Sequence, residues 1–247
     1  MRYLVLTDVH ANLEALDACL AFTRARGFDR TLVLGDLVGY GPDPNITIER
    51  ITALDPIAIV RGNHDKVACG IDQADGFNAV AKMAAHWTLE TLTPANRDWL
   101  AALPVGPVLV DDLVEICHGS PFDEDAYIFD ELDAVRALKA AKRALCLFGH
   151  THYPVTFELS GNAFDSAGPA SSGDTILTLK PDARYLVNPG SVGQPRDGDA
   201  RAACAIVDVE RRQMELFRVP YSVADTQAKI LAAGLPEVLA QRLGYGR

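Results

Sequence analysis

Five short apolar runs, each stopped by a polar turn, constrain this chain more than any other feature. They cover residues 2–6, 31–34, 57–60, 113–117 and 145–148. Runs of that length closed by turn residues read as buried strands. The turns are Thr7-Asp8-Val9-His10, Gly35-Asp36, Arg61-Gly62-Asn63-His64-Asp65, His118-Gly119-Ser120 and Gly149-His150-Thr151-His152. Of the six histidines in the chain, five lie in these turns, and only His86, within a helical stretch, lies elsewhere. Polar turns at strand ends often do no more than cap the next helix, as Asn63 or Asp65 would. Five such ends enriched in histidine argue for one shared site instead.

The first elements set where that site lies. Leu13, Leu16, Leu20 and Phe22 fall at helical spacing across 12–26, with Gly27 as a stop. Strand, helix, strand, with polar residues at each strand's C-terminal end, is the pattern of a parallel sheet carrying a site along that edge. If the turns stay extended, Asp8 and His10 share one face, as do His150 and His152. Helices are expected over 45–54, two or three more between 65 and 103 (the longest over 77–92), and one over 131–143. Residues 108–110 and 113–117 read as a hairpin about Asp111-Asp112. Strands follow at 155–159, 175–179, 185–187, 204–209 and 213–219, then two short helices within 222–245. The stretch 160–174, rich in Gly, Ser and Ala, reads as a mobile loop that overhangs the site. No linker divides the chain, so a single domain over 1–247 is expected.

Charge and cysteine usage narrow the class. The formal net charge of -10 opposes stable nucleic-acid binding, which needs a basic surface. It leaves room for a phosphorylated substrate if bound cations reverse the local charge. Five scattered cysteines without a C-x-x-C pair read as reduced core residues. No apolar run approaches the roughly 20 residues that span a bilayer, and residues 1–6 are too short for a signal segment. A cytoplasmic protein is expected, with its oligomeric state open.

The candidate ligands Asp8, His10, Asp36, Asn63, His118, His150 and His152 offer oxygen and nitrogen without thiolate. That suits Mn, Fe, Zn or Ni better than a structural zinc. Seven groups exceed one tetrahedral ion, and two ions about 3.5–4 Å apart suit phosphoester hydrolysis.

D-x-H, G-D-x-x-G, G-N-H-D, H-G-S and G-H-T-H, in that order from Asp8 to His152, resemble the calcineurin-like metallophosphoesterase family. Asn188-Pro189-Gly190-Ser191-Val192-Gly193 resembles a late turn of its bacterial members. The resemblance implies an α/β fold, a sandwich of two mixed β-sheets flanked by helices. It also implies two divalent metal ions, with manganese favoured. Asp8, His10 and His152 would hold the first, Asn63, His118 and His150 the second, and Asp36 would bridge them. A metal-bound hydroxide would attack phosphorus while His64 protonates the leaving oxygen, which makes His64 and Asp36 the catalytic pair. Asn63, Arg61 and Tyr40 are the expected substrate contacts.

Gly39 and Tyr40 stand where protein phosphatases of the family carry an acid and a phosphate-clamping arginine. This disfavours protein-phosphatase and symmetrical dinucleoside-tetraphosphate activities, and leaves Arg61 or Arg196 to substitute. With Tyr40 as a neutral clamp, a small phosphodiester is the expected substrate. A phosphomonoester or dinucleoside polyphosphate is the alternative, and a binding module on the same fold is the non-enzymatic one. Such a module usually lacks the acid that His64 supplies here.

Overall fold

Apolar side chains from two sheets meet to form the central core. In the computed structural model, which describes residues 1–168 and 174–247, the strands are β1 (Arg2–Leu6), β2 (Arg30–Val33), β3 (Ala58–Ile59), β4 (Val108–Leu109), β5 (Val114–Ile116), β6 (Leu145–Leu147), β7 (Val155–Ser160), β8 (Ala163–Ala167), β9 (Thr175–Thr178), β10 (Ala183–Asn188), β11 (Ala202–Asp208) and β12 (Gln213–Val219). The helices are α1 (Leu13–Arg24), α2 (Pro44–Thr52), α3 (Asn63–Ala68), α4 (Ala79–Thr91), α5 (Pro94–Ala101), α6 (Glu131–Ala140), α7 (Val223–Ala232) and α8 (Glu237–Leu243).

One six-stranded sheet runs β3-β2-β1-β11-β12-β9 and the other β4-β5-β6-β10-β7-β8. Both are mixed. β1 is parallel to β2 and antiparallel to β11, while β10 is parallel to β6 and antiparallel to β7. Their inner faces supply Tyr3, Val5, Leu32, Val114, Leu147, Tyr185 and Val207 to a shared core. Leu16, Cys19, Ile48 and Leu100 cover the outer face of the first sheet, and Ala134, Ala137 and Leu138 of α6 that of the second. This is the expected αββα sandwich. The stripe of α1 reaches that layer because its start is fixed: the Asn12 side chain accepts from Ala15 N–H at 3.2 Å. Among the described residues, no helix is long and apolar enough to cross a membrane.

β1, β2 and β3 run parallel, as do β5, β6 and β10. The five predicted turns therefore leave the same edge of the sandwich. The expected hairpin is β4-β5, paired antiparallel.

The expected loop at 160–174 requires correction. Residues Ala163–Ala167 pair antiparallel with β7, Phe164 opposite Leu159. An alternation too weak to read in the sequence still suffices for an edge strand, because β7 offers a free ladder of hydrogen-bonding groups. Residues 169–173 of that stretch lie outside the described residues.

Candidate metal centre

The turns do not stay extended. Asp8, His10, Asp36, His150 and His152 all take left-handed backbone conformations, with φ of 51°, 48°, 51°, 68° and 58°. The expected sharing of a face across an extended segment is thus replaced by tight bends that aim each side chain inward. Asp and His tolerate this region better than most residues, yet it costs about 1–3 kcal/mol each. Hydrogen bonds from neighbouring turns hold the bends: Asp8 N–H to Gly35 O at 3.0 Å, His10 N–H to Asp36 O at 3.0 Å and Gly193 N–H to Asp8 O at 2.9 Å.

Two groups of ligand atoms result. Asp8, His10, Asp36 and His152 form one, and Asp36, His118 and His150 the other, with the atoms of each group within 4.8 Å of one another. Asp36 belongs to both. Asn63 joins the second group through Oδ1, 3.2 Å from His118 Nε2. All six Asp and His side chains are buried.

The outer nitrogen of each imidazole fixes its tautomer. A carbonyl only accepts, so the ring nitrogen facing it donates. Nδ1 of His10, His118 and His152 donates to Val38 O, Leu34 O and Gln194 O at 3.1, 2.8 and 2.7 Å. His150 is reversed: Nε2 donates to Asp125 O at 3.1 Å, and Nδ1 is buried with no partner. Each ring thereby turns its other nitrogen into the site, as metal-ligating histidines do. The lone pairs of His10 and His152 Nε2 face each other at 3.0 Å, which a cation between them would relieve. The donor set therefore fits a divalent metal.

Burial lowers the pKa of His10 and His152 well below the usual imidazole range and that of His150 to about 3, keeping these rings neutral as ligands must be. Burial alone would raise the Asp36 carboxyl, but His118, His64 and His10 hold it well below its ordinary value. His118 responds oppositely: burial would lower it, yet Asp36 and Asp8 raise it to about 10.

Supporting residues explain why the turns need their small members. A Cβ on Gly62 would collide with the Asp36 carboxylate, and one on Gly149 with Thr7 Oγ1. The 188–193 turn braces the first bend, since Ser191 Oγ donates to Asp8 O at 2.8 Å. Asp65 does more than cap α3. Its carboxylate accepts from Gly62 N–H at 2.9 Å, and from Leu37 and Val38 N–H at 2.9 and 3.2 Å, tying two ligand turns together. The spacing of the motifs gave no sign of that link. Asp65→Ala should strand three buried donors and cost about 3 kcal/mol or more. That corresponds to a Tm lower by about 6–12 °C for a chain of this size, with metal content falling alongside. A variant that melts at the wild-type temperature would refute the link.

The remaining expected residues divide. His64 sits beside the metal groups without belonging to either. Its N–H donates to Asp36 Oδ1 at 2.9 Å, and its ring packs on Tyr40 at 4.3 Å and Phe77 at 4.6 Å. Burial, opposed by Asp36, lowers its pKa to about 4. Gly39 makes that packing possible, because a Cβ there would come within 2.5 Å of His64 Nδ1. Arg61 is paired: its Nε and NH2 form a fork on the Glu124 carboxylate, both at 3.0 Å. Tyr40 is buried beneath two cations, Arg196 Cζ at 5.9 Å and Arg242 Cζ at 5.8 Å from its ring centroid. Sequence reasoning missed Arg242 and Tyr127, whose ring stacks on His150 at 3.8 Å.

A buried carboxylate–imidazole cluster at one edge of a two-sheet sandwich is the framework of a metal-dependent phosphoester hydrolase. The chain belongs to the calcineurin-like phosphoesterase superfamily, whose domain profile matches residues 1–212. It is 35% identical over 250 residues to an uncharacterized protein of Methanocaldococcus jannaschii, covering 98% of this chain and 97% of that one. The crystal structure of a metallophosphoesterase from Sphaerobacter thermophilus superposes with a TM-score of 0.86 at 38% identity, covering 100% of this chain and 99% of that chain. A hypothetical protein from Pyrococcus horikoshii OT3 shares the fold, with a TM-score of 0.78 at 23% identity and coverage of 100% and 98%.

Proposed function

We propose that this phosphoesterase hydrolyses a small phosphodiester at a dinuclear centre. Asp8, His10 and His152 would hold one divalent ion, Asn63, His118 and His150 a second, and Asp36 would serve both. The observation that carries this reading is the membership of Asp36 in both ligand groups. Divalent ions there supply Lewis-acid neutralisation of phosphoryl oxygens and an activated water. The oxygen and nitrogen donors suit manganese among other divalent ions. His64, outside both groups and beside Asp36, is placed to give a proton to the leaving oxygen, its ring being charged when the added negative charge of a bound phosphoryl group offsets the burial that otherwise lowers its pKa to about 4.

The surroundings favour a singly charged phosphoryl group. The cavity beside Asn63 and His150, about 240 Å³, is bordered by Asp72, Asp125 and Lys66, and Lys66 is already paired with Asp125 and Glu124. With Arg61 held by Glu124, and Asp125 and Glu124 sharing Lys66, the remaining carboxylate there, Asp72, opposes a dianionic monoester more than a monoanionic diester. Unpaired cysteines, four of the five buried, suit a reducing cytoplasm.

Protein loaded with manganese should carry close to two ions per chain and hydrolyse bis(4-nitrophenyl) phosphate with a higher kcat/KM than 4-nitrophenyl phosphate. A stoichiometry that stays at one ion removes the bridging role. A tenfold preference for the monoester, about 1.4 kcal/mol at the transition state, removes the diester reading. No turnover of either ester at full metal loading would leave a binding module.

A further inference from the structure

Beside His64 lies a second cavity that no Asp or His of the two ligand groups borders. A cavity of about 150 Å³ is bordered by His64, Asn63, Tyr40, Phe77, Arg196 and Arg242, among others. It is smaller than the roughly 300 Å³ at the low end of pockets for drug-sized ligands, a scale suited to one small group. Among the described residues, no Asp or Glu lines it.

Among the described residues, no Asp or Glu forms an ion pair with either arginine, as the ion pairs of the fold involve other cations. Arg196 reaches only the Gln194 Oε1 at 3.3 Å and the Tyr40 hydroxyl at 3.5 Å, and its buried Nε has no hydrogen-bond partner. Arg242 Nε donates to the Arg247 carbonyl. The two guanidiniums stand over the same tyrosine ring, so each raises the cost of the other. Burial first, and then Arg196, lower the pKa of Arg242. Two half-buried like charges with no Asp or Glu between them, one with a buried Nε left unbonded, are unfavourable unless an anion completes the site.

Packing of α8 fixes Arg242 in this place. Leu239, Ala240 and Leu243 of α8 pack with Ile230 of α7 and Ala81 and Ala84 of α4 beneath Tyr40. Arg242 thus arrives on a helix that lies outside residues 1–212, the part matched by the family profile.

We infer that Arg196 and Arg242, with the Tyr40 hydroxyl, form an anion subsite that holds a second phosphoryl group, carried by the leaving group of the substrate. The side is set by His64: the proton donor to the leaving oxygen and the arginine pair border one cavity. Guanidinium forks match phosphoryl oxygens two at a time. This inference rests on the hydrolase reading above for the word leaving, and on the arginine pair alone for the anion.

The test has a binding arm and a kinetic arm, both with manganese-loaded protein. Calorimetric titration with inorganic phosphate should show two sites per chain in wild type, one at the metals and one at the arginines, and one site in Arg242→Gln. Arg196→Gln provides an independent variant, and Arg242→Lys should recover part of the second site. Metal content and Tm report that the fold is intact. The kinetic arm compares a methyl phosphodiester of propanediol with the same ester phosphorylated on its far hydroxyl. Arg242→Gln should lower kcat/KM on the phosphorylated ester about 10- to 100-fold more than on the plain one, the range for a lost charge-assisted hydrogen bond. A single phosphate site in wild type, or equal losses on the two esters, would overturn the inference. Arginine-dependent binding of the second phosphate without turnover of either ester upholds the subsite and overturns the hydrolase reading instead.

Discussion

Asp36→Asn should lower kcat/KM by at least about 10³-fold, about 4 kcal/mol at the transition state, and reduce metal content in both ligand groups together. The substitution keeps the shape and the Oδ1 that accepts from His64 N–H, so the turn should survive. What it removes is the one charge common to both groups. Asp36 Oδ2 lies 3.5 Å from Nε2 of both His10 and His118, and an amide in its place offers either a weaker neutral oxygen or N–H donors that repel a cation. Asp8→Asn provides the contrast, since Asp8 belongs to the first group alone. It should deplete one ion and spare the other. Metal analysis of the two variants decides the matter. If Asp36→Asn retains both ions, or loses only one as Asp8→Asn does, the shared role is wrong.

The sequence showed more of the site than of its geometry. Hydrophobic runs of four or five residues followed by Asp, Asn, His and Gly marked five strand ends, and β1, β2, β3, β5 and β6 bring those ends to one edge. What could not be read was the left-handed backbone at Asp8, His10, Asp36, His150 and His152. It depends on hydrogen bonds from turns up to about 180 residues away, such as Ser191 to Asp8. Strand β8 was hidden for a similar reason. Ala163–Ala167 has little to bury, and only the exposed edge of β7 makes it a strand. Arg61 and Arg242 show how long side chains escape prediction. Arg61 sits inside a ligand motif yet is taken by Glu124, whereas Arg242 comes from α8 and reaches the site only because Leu239 and Leu243 dock that helix near Tyr40.

His64→Ala should reduce kcat by about 10²–10⁴-fold, the usual contribution of a positioned acid, while metal content stays at the wild-type level. The reason for the separation is positional. His64 is buried beside the centre but contributes no atom to either ligand group. The loss should depend on the leaving group. A nitrophenolate departs without help, so the variant should lose least on nitrophenyl esters and most on alkyl esters, whose alkoxides need a proton. A packing account predicts otherwise. The ring fills space between Tyr40 and Phe77, and its removal should cost a few kcal/mol, roughly as other large-to-small core changes do. That cost would show as a lower Tm and a loss equal across esters. His64→Gln keeps more of the volume and supplies an N–H that hydrogen-bonds without transferring its proton. If Gln restores stability and leaves alkyl-ester turnover low, proton donation is the function of His64. If Gln restores turnover on alkyl esters as well, the residue only positions the substrate.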